Sequence, residues 1–171
     1  MRKGIDVSYS NGEINWAQVK PQIDFAILRA GYGRNNIDAR FVENARACTE
    51  QGIPMGLYWF SYAYTVEMAE KEAEYCLEQA KQYKIDYPIT FDFEYDSVRY
   101  ANENGVAVTK ELAMALTKAF CDKIKAAGYH VAIQLYRTDG RNQRKCRFKL
   151  CFGEFCRSDV WMAEAGWQMV V

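Results

Sequence analysis

Histidine is almost missing from this 171-residue chain, where His130 stands alone. A Ser-His-Asp or Cys-His hydrolase would have to rest on that one imidazole. It lies in the strand-like run Tyr129-His130-Val131-Ala132-Ile133, with no nucleophile motif beside it. Metal hydrolases draw on several histidines, so the same shortage argues against a metal, and no cofactor is expected. A surplus of one charge is missing too: 22 basic residues face 22 acidic ones, which excludes a wholesale electrostatic grip on nucleic acid. No apolar run approaches the roughly 20 residues of a membrane span. An apolar export segment is not expected either, because Met1-Arg2-Lys3 leads directly into Gly4-Ile5-Asp6-Val7-Ser8.

Cysteine is present but badly placed for a disulfide framework. Cys48, Cys76 and Cys121 each fall on the apolar stripe of a predicted helix, where a free thiol acts as a small hydrophobe. Cys146, Cys151 and Cys156 recur every five residues, a spacing that matches no familiar zinc site.

With histidine and metals set aside, carboxylates carry the chemistry. The run Pro88-Ile89-Thr90-Phe91-Asp92-Phe93-Glu94-Tyr95 reads as a buried strand ending in two acids. Side chains alternate along a strand, so Asp92 and Glu94 share a face with Cα atoms roughly 6.6 Å apart. Two acids that close repel when both ionise, which makes one of them a proton donor near neutral pH. Glycoside hydrolysis needs such a pair: one group protonates the leaving oxygen while the other balances charge developing on the sugar. Glu94 is expected to hold the proton and Asp92, nearer polar partners, to ionise at the lower pH. Twelve tyrosines and four tryptophans suit a groove in which flat apolar faces stack on pyranose rings.

Apolar strand-like runs alternate with helical patterns over what reads as one domain spanning 1–171. Strands are predicted at Lys3–Ser8, Asp24–Arg29, Pro54–Tyr62, Asp86–Glu94, Tyr129–Leu135 and Asp159–Ala163. Helices are predicted near Trp16–Lys20 and over Asp38–Gln51, the latter stopped by Gly52. Two more follow at Val66–Tyr83 and Thr109–Ala127, with Gly128 ending the last. A continuous β/α rhythm argues for a parallel sheet, and six strands suggest a barrel. In such folds the reacting groups sit at the C-terminal ends of the strands. Asp6, Arg29, Tyr62, Asp92 and Glu94 all fall there.

These residues resemble glycoside hydrolase family 25, the Chalaropsis-type lysozymes of phage endolysins, bacterial autolysins and some fungi. The resemblance is carried by Gly4-Ile5-Asp6-Val7-Ser8-Tyr9-Ser10 with Ile14-Asn15-Trp16, and by Phe25-Ala26-Ile27-Leu28-Arg29-Ala30-Gly31. Asp38, Phe41, Asn44 and Ala45 continue it, as do Gly56-Leu57-Tyr58-Trp59-Phe60-Ser61-Tyr62-Ala63 and Asp92-Phe93-Glu94. It implies an irregular, flattened TIM-like β/α barrel. It also implies cleavage of the β-1,4 bond between N-acetylmuramic acid and N-acetylglucosamine in peptidoglycan. By motif, Glu94 matches the general acid, Asp92 its companion, and Asp6 the first-strand carboxylate at the groove floor. Tyr62, with Arg29, Tyr58 and Phe60, matches substrate-binding positions. Peptidoglycan glycan strands are the implied partner, met by a monomer acting at the bacterial cell wall without nucleic acid or membrane. The route is either substrate-assisted and retaining, with the 2-acetamido oxygen as internal nucleophile, or inverting through an activated water.

Two departures bear on activity. Residues 134–158 do not look like the family: Arg137, Arg141, Arg144, Lys145, Arg147, Lys149 and Arg157 face only Asp139 and Glu154. A divergent or disordered loop, or a shifted reading frame, has this composition. The family's final strand and late Asp are not recognised after Gly166-Trp167-Gln168, so a barrel incomplete at the C-terminus is expected. The alternatives are therefore a peptidoglycan-binding remnant that does not cut and a chitinase-like glycosidase.

Overall fold

The computed structural model describes residues 2–137, 145–151 and 167–170. Its strands are β1 (Arg2–Val7), β2 (Phe25–Tyr32), β3 (Asn36–Ile37), β4 (Met55–Phe60), β5 (Ile89–Phe93), β6 (Val131–Arg137), β7 (Lys145–Cys151) and β8 (Trp167–Val170). The helices are α1 (Trp16–Val19), α2 (Phe41–Gln51), α3 (Val66–Ala80), α4 (Tyr95–Glu103) and α5 (Lys110–Ala126). The strands form one sheet in the order β7-β6-β5-β4-β2-β1-β8, with β3 paired antiparallel to β2. From β8 to β6 every neighbour is parallel, which requires a crossover between each pair. The sheet curls into a half-barrel with α2, α3 and α5 packed on its outer face.

Local chemistry fixes most element ends. Thr65 and Thr109 cap α3 and α5 by accepting the N–H of Met68 and Leu112, both at 3.2 Å. Gly52 ends α2 at φ 64°, and Ile53 N–H then reaches back to the Cys48 carbonyl at 2.8 Å. Helix α2 starts at Phe41 rather than Asp38, because the Asp38 side chain is spent accepting Arg40 N–H at 2.9 Å. Helix α3 stops at Ala80 rather than Tyr83, where the chain tightens into i→i+3 turns from Gln79 and Ala80.

Segment 145–151 is a strand rather than a loop. It pairs antiparallel with β6 from Val131↔Cys151 to Arg137↔Lys145. Its alternation of Lys145, Arg147 and Lys149 with Cys146, Phe148 and Leu150 is a period-2 pattern that the basic composition of the stretch conceals. Strand β8 pairs parallel to β1 from Arg2↔Trp167 to Ile5↔Val170. The strand expected at Asp159–Ala163 lies outside the described residues.

Register sorts the side chains onto two faces. Val7, Leu28, Leu57, Trp59, Phe91, Phe93 and Ile133 are buried under the helices, where Phe91 stacks on Phe93 and tilts against Phe120 of α5. Cys48, Cys76 and Cys121 are free and buried in the same layer, as their helical spacing predicts. On the inner face Phe25, Ile27, Tyr58 and Tyr87 form a small plug toward the strand starts, with Phe25 and Tyr87 stacked at 4.3 Å. Gly4 makes room for it, since a Cβ there would lie 2.2 Å from the Phe25 ring. This plug closes one end of the half-barrel and leaves polar side chains at the other.

Candidate active site

Pairing carries one inner-face set across the sheet. Asp6 pairs with Ile27, Arg29 with Tyr58, Phe60 with Asp92, and Asp92 with Gln134. Paired residues in a sheet point the same way, as do residues two apart along a strand. Asp6, Arg29, Tyr58, Phe60, Asp92 and Gln134 therefore converge on the concave face at the C-terminal rim. Glu94 follows where β5 passes into α4, and its N–H donates to Ser97 Oγ at 3.0 Å in the first turn. A carboxylate at that position also meets the positive end of the helix dipole.

The three acids feel one another, as expected of a shared site. Burial lifts the Asp6 carboxyl from 3.8 to about 6; a hydrogen bond from Tyr58 and the Arg29 charge pull it down, while Glu94 pushes it up. Asp92 is 4% exposed, and among the described residues its Oδ1 has no hydrogen-bond partner. Burial, then the charges of Glu94 and Asp6, raise its carboxyl well above the usual range, with Arg29 opposing. Burial thus opposes the ionisation that was expected of Asp92. A strand-end acid looks solvated in sequence, but β4 and β6 flank this one and bury it. Gln134 Nε2 donates to Glu94 Oε1 at 2.6 Å, fixing that carboxylate from the neighbouring strand.

Arg29 supplies the positive charge of the rim. Its Nε donates to Asp38 at 2.7 Å, and its guanidinium lies 4.8 Å from the Tyr9 ring centre and 5.5 Å from that of Tyr32. Asp38 is itself buried and also accepts Tyr9 N–H at 3.1 Å, so one carboxylate sets both the arginine and the loop after β1. Tyr58 sits in the plug with its hydroxyl on Asp6. Tyr62 stands on the rim, its ring 5.2 Å from Phe60, 5.1 Å from Tyr100 and 6.4 Å from Tyr32. Tyr9 and Tyr100 are exposed, at 54% and 39%, and extend this aromatic surface beyond the acids.

Sequence reading gave no site role to Gln134 or Tyr100, quoted Asp38 only as a motif residue, and did not predict helix α4. Gln134 was findable: it is a polar residue at the C-terminal end of an apolar strand, the signal that marked Asp6 and Arg29. Nothing comparable marks Tyr100, which reaches the rim only because α4 folds back there.

The profile of Glycosyl hydrolases family 25 matches residues 5–166. Lysozyme M1 of Streptomyces globisporus is 42% identical over 60 residues, covering 34% of this chain and 20% of that protein. The modular autolysin LytC of Streptococcus pneumoniae superposes with a TM-score of 0.68 at 30% identity, over 78% of this chain and 32% of its own. LytC has also been solved with a synthetic peptidoglycan ligand. A family 25 glycosyl hydrolase of Bacillus anthracis, 24% identical, shares the fold with a TM-score of 0.64 over 77% of this chain and 59% of its own. This chain thus spans about a fifth of lysozyme M1 and about a third of LytC. With its profile matched over nearly the whole length and the acids of β1 and β5 brought to one rim, the chain belongs to glycosyl hydrolases family 25.

Proposed function

We propose that residues 1–171 form the catalytic domain of a muramidase that hydrolyses the β-1,4 bond between N-acetylmuramic acid and N-acetylglucosamine in peptidoglycan. In this reading the half-barrel belongs to a flattened β/α barrel. The observation that carries the proposal is the convergence of Asp6, Asp92 and Glu94 on one concave face of a family 25 chain. Glu94, held by Gln134, donates its proton to the glycosidic oxygen. Asp92 Oδ1 accepts the acetamido N–H of the muramic acid and turns its carbonyl oxygen toward the anomeric carbon. In the reacting complex the proton of the pair rests on Glu94 and Asp92 is the carboxylate, whose charge balances the positive charge that develops on the cyclising acetamido group. Asp6, with a pKa of about 6, supplies the standing negative charge of the floor. Arg29, Tyr58, Phe60 and Tyr62 hold the glycan. Water then opens the cyclised intermediate with Glu94 as base, and the anomeric configuration is retained.

Clearance of a peptidoglycan suspension tests the assignment. Wild type should clear it, and Glu94→Gln should slow clearance by at least about 10²-fold, the usual scale for loss of a general acid. Binding of peptidoglycan without clearance by wild type would instead establish the non-cutting alternative. Preference for chitin oligomers over muramic-acid-containing fragments would favour the chitinase-like one.

A further inference from the structure

One buried carboxylate plays no part in the chemistry above. Glu72 lies on α3, is 3% exposed, and faces the segment that follows β4. Its Oε2 accepts the Ser61 hydroxyl at 2.5 Å and its Oε1 accepts Tyr62 N–H at 2.9 Å. Ser61 Oγ in turn accepts Ala63 N–H at 3.1 Å, and Ser61 N–H donates to the carbonyl of Asp92 at 2.8 Å. Both Glu72 oxygens are thus occupied by donors from a three-residue segment, and that segment is stitched on its other side to the strand carrying the acids. A lone structural acid would not be buried at such cost without a task, because an apolar residue fills a helix–sheet contact more cheaply. The task lies in what the segment carries. The Tyr62 ring stands against Gly33, where a Cβ would come within 3.0 Å of Tyr62 Cδ2, and between the rings of Tyr32, Phe60 and Tyr100.

We infer that Glu72 is a positioning residue for glycan binding, acting through Ser61 and Tyr62 to hold the aromatic wall of the cleft at a fixed distance from the acid strand. The inference rests on the reading of this rim as a glycan site and adds a residue that touches no sugar. Glu72→Ala leaves Ser61 Oγ–H and Tyr62 N–H without their acceptor, so residues 61–63 relax and Tyr62 no longer meets the sugar squarely. Glu72→Gln keeps an acceptor for Tyr62 N–H and restores most of the arrangement.

The test measures the Kd of a soluble muramic-acid-containing tetrasaccharide by calorimetry, in the Glu94→Gln background so that cleavage cannot intervene. Glu72→Ala should weaken binding roughly tenfold and Glu72→Gln by less than about threefold, in line with loss of one or two hydrogen bonds. In a Tyr62→Ala background the Glu72→Ala change should have less than about a twofold effect, since the two act as a unit. Additive effects of Glu72→Ala and Tyr62→Ala, or an unchanged Kd, would overturn the inference. Hydrogen exchange at the Tyr62 and Ala63 amides gives a readout independent of the glycan. Faster exchange in Glu72→Ala, with β5 amides unaffected, supports the tether, and unchanged exchange refutes it. Should Glu72→Ala fail to fold, Ser61→Ala severs the same link and must show the same coupling to Tyr62. A Glu94→Gln protein that binds no tetrasaccharide defeats the glycan-site reading itself, which separates that failure from this one.

Discussion

Glu72 also offers a clean measurement of what burying a carboxyl does to this fold. Burial raises it from the ordinary 4.5 to about 7, with the hydrogen bonds from Ser61 and Tyr62 drawing it part of the way back. The folded protein then binds this proton more tightly than the unfolded chain does. The stabilisation is fully present below pH 4.5 and is lost as the pH rises through 7. At 1.36 kcal/mol per pKa unit the whole effect is about 3 kcal/mol, most of which falls between pH 5 and pH 8. Glutamine does not ionise, so Glu72→Gln removes that dependence and nothing else that titrates. At pH 5 the variant should be the less stable protein by about 1 kcal/mol, because its amide NH₂ meets Ser61 Oγ where an acceptor is wanted. By pH 8 the order should invert, with the variant ahead by about 1–2 kcal/mol.

Urea unfolding of both proteins at pH 5, 6, 7 and 8 reads this directly. With a slope of about 2 kcal/mol per M, the difference in midpoints should move by on the order of 1 M across the range. Asp6 and Asp92 titrate in both proteins and cancel in the comparison, being on different elements from α3. A difference between wild type and variant that stayed constant with pH would mean that Glu72 is not held protonated by burial. It would also count against burial as the cause of the raised Asp6 and Asp92 carboxyls.

Gln134→Ala should lower kcat/KM by about tenfold with little change in stability, because it frees the Glu94 carboxylate without opening the core; unchanged kinetics would remove Gln134 from the site. Phe91→Ala should destabilise the fold by about 3–5 kcal/mol, since Phe91 is fully buried between Phe93 and Phe120; a loss under 1 kcal/mol in chemical denaturation would contradict this packing. Cys48, Cys76 and Cys121 should resist a thiol reagent in the native state, since burial removes access and raises the Cys48 and Cys121 thiols to about 12. Peptide mapping after brief labelling checks this, and rapid modification of any of the three would show that its helix packs elsewhere. NMR of the first-formed reducing sugar should show the β-anomer of a retaining reaction; the α-anomer would move Asp6 or Asp92 to activating water.

The alternation of strand and helix was legible because it depends on period alone. Phe91 and Phe93 against Thr90 and Asp92 is a period-2 pattern, and Ala69, Ala73, Cys76 and Ala80 lie at helical spacing. The acid set was legible for a different reason, since parallel strands gather their C-terminal ends whatever their order. What sequence could not supply was register. Gln134 reaches Glu94 because β6 lies beside β5 with Asp92 opposite Gln134, and neither strand's own pattern encodes that pairing. Helix α4 was hidden because its exposed Tyr95, Asp96, Arg99 and Glu103 dilute the apolar stripe to Val98 and Ala101. The bounds of α2 and α3 slipped by about three residues where side chains or tight turns compete with the helical ladder.

The burial of Asp92 was not foreseen, for a reason that register also explains. Spacing along β5 places Asp92 and Glu94 on one face and establishes their repulsion, but repulsion alone does not say which of the two yields. That is decided by what flanks each carboxyl. Asp92 lies within the strand, with Phe60 on one side and Gln134 on the other, and is buried with an oxygen that has no hydrogen-bond partner among the described residues. Glu94 lies past the strand's last residue, takes a hydrogen bond from Gln134 and stays partly exposed. Two positions along a chain thus separate a desolvated acid from a solvated and hydrogen-bonded one. Burial and the charges of Glu94 and Asp6 hold the proton on the buried acid, with Arg29 opposing them.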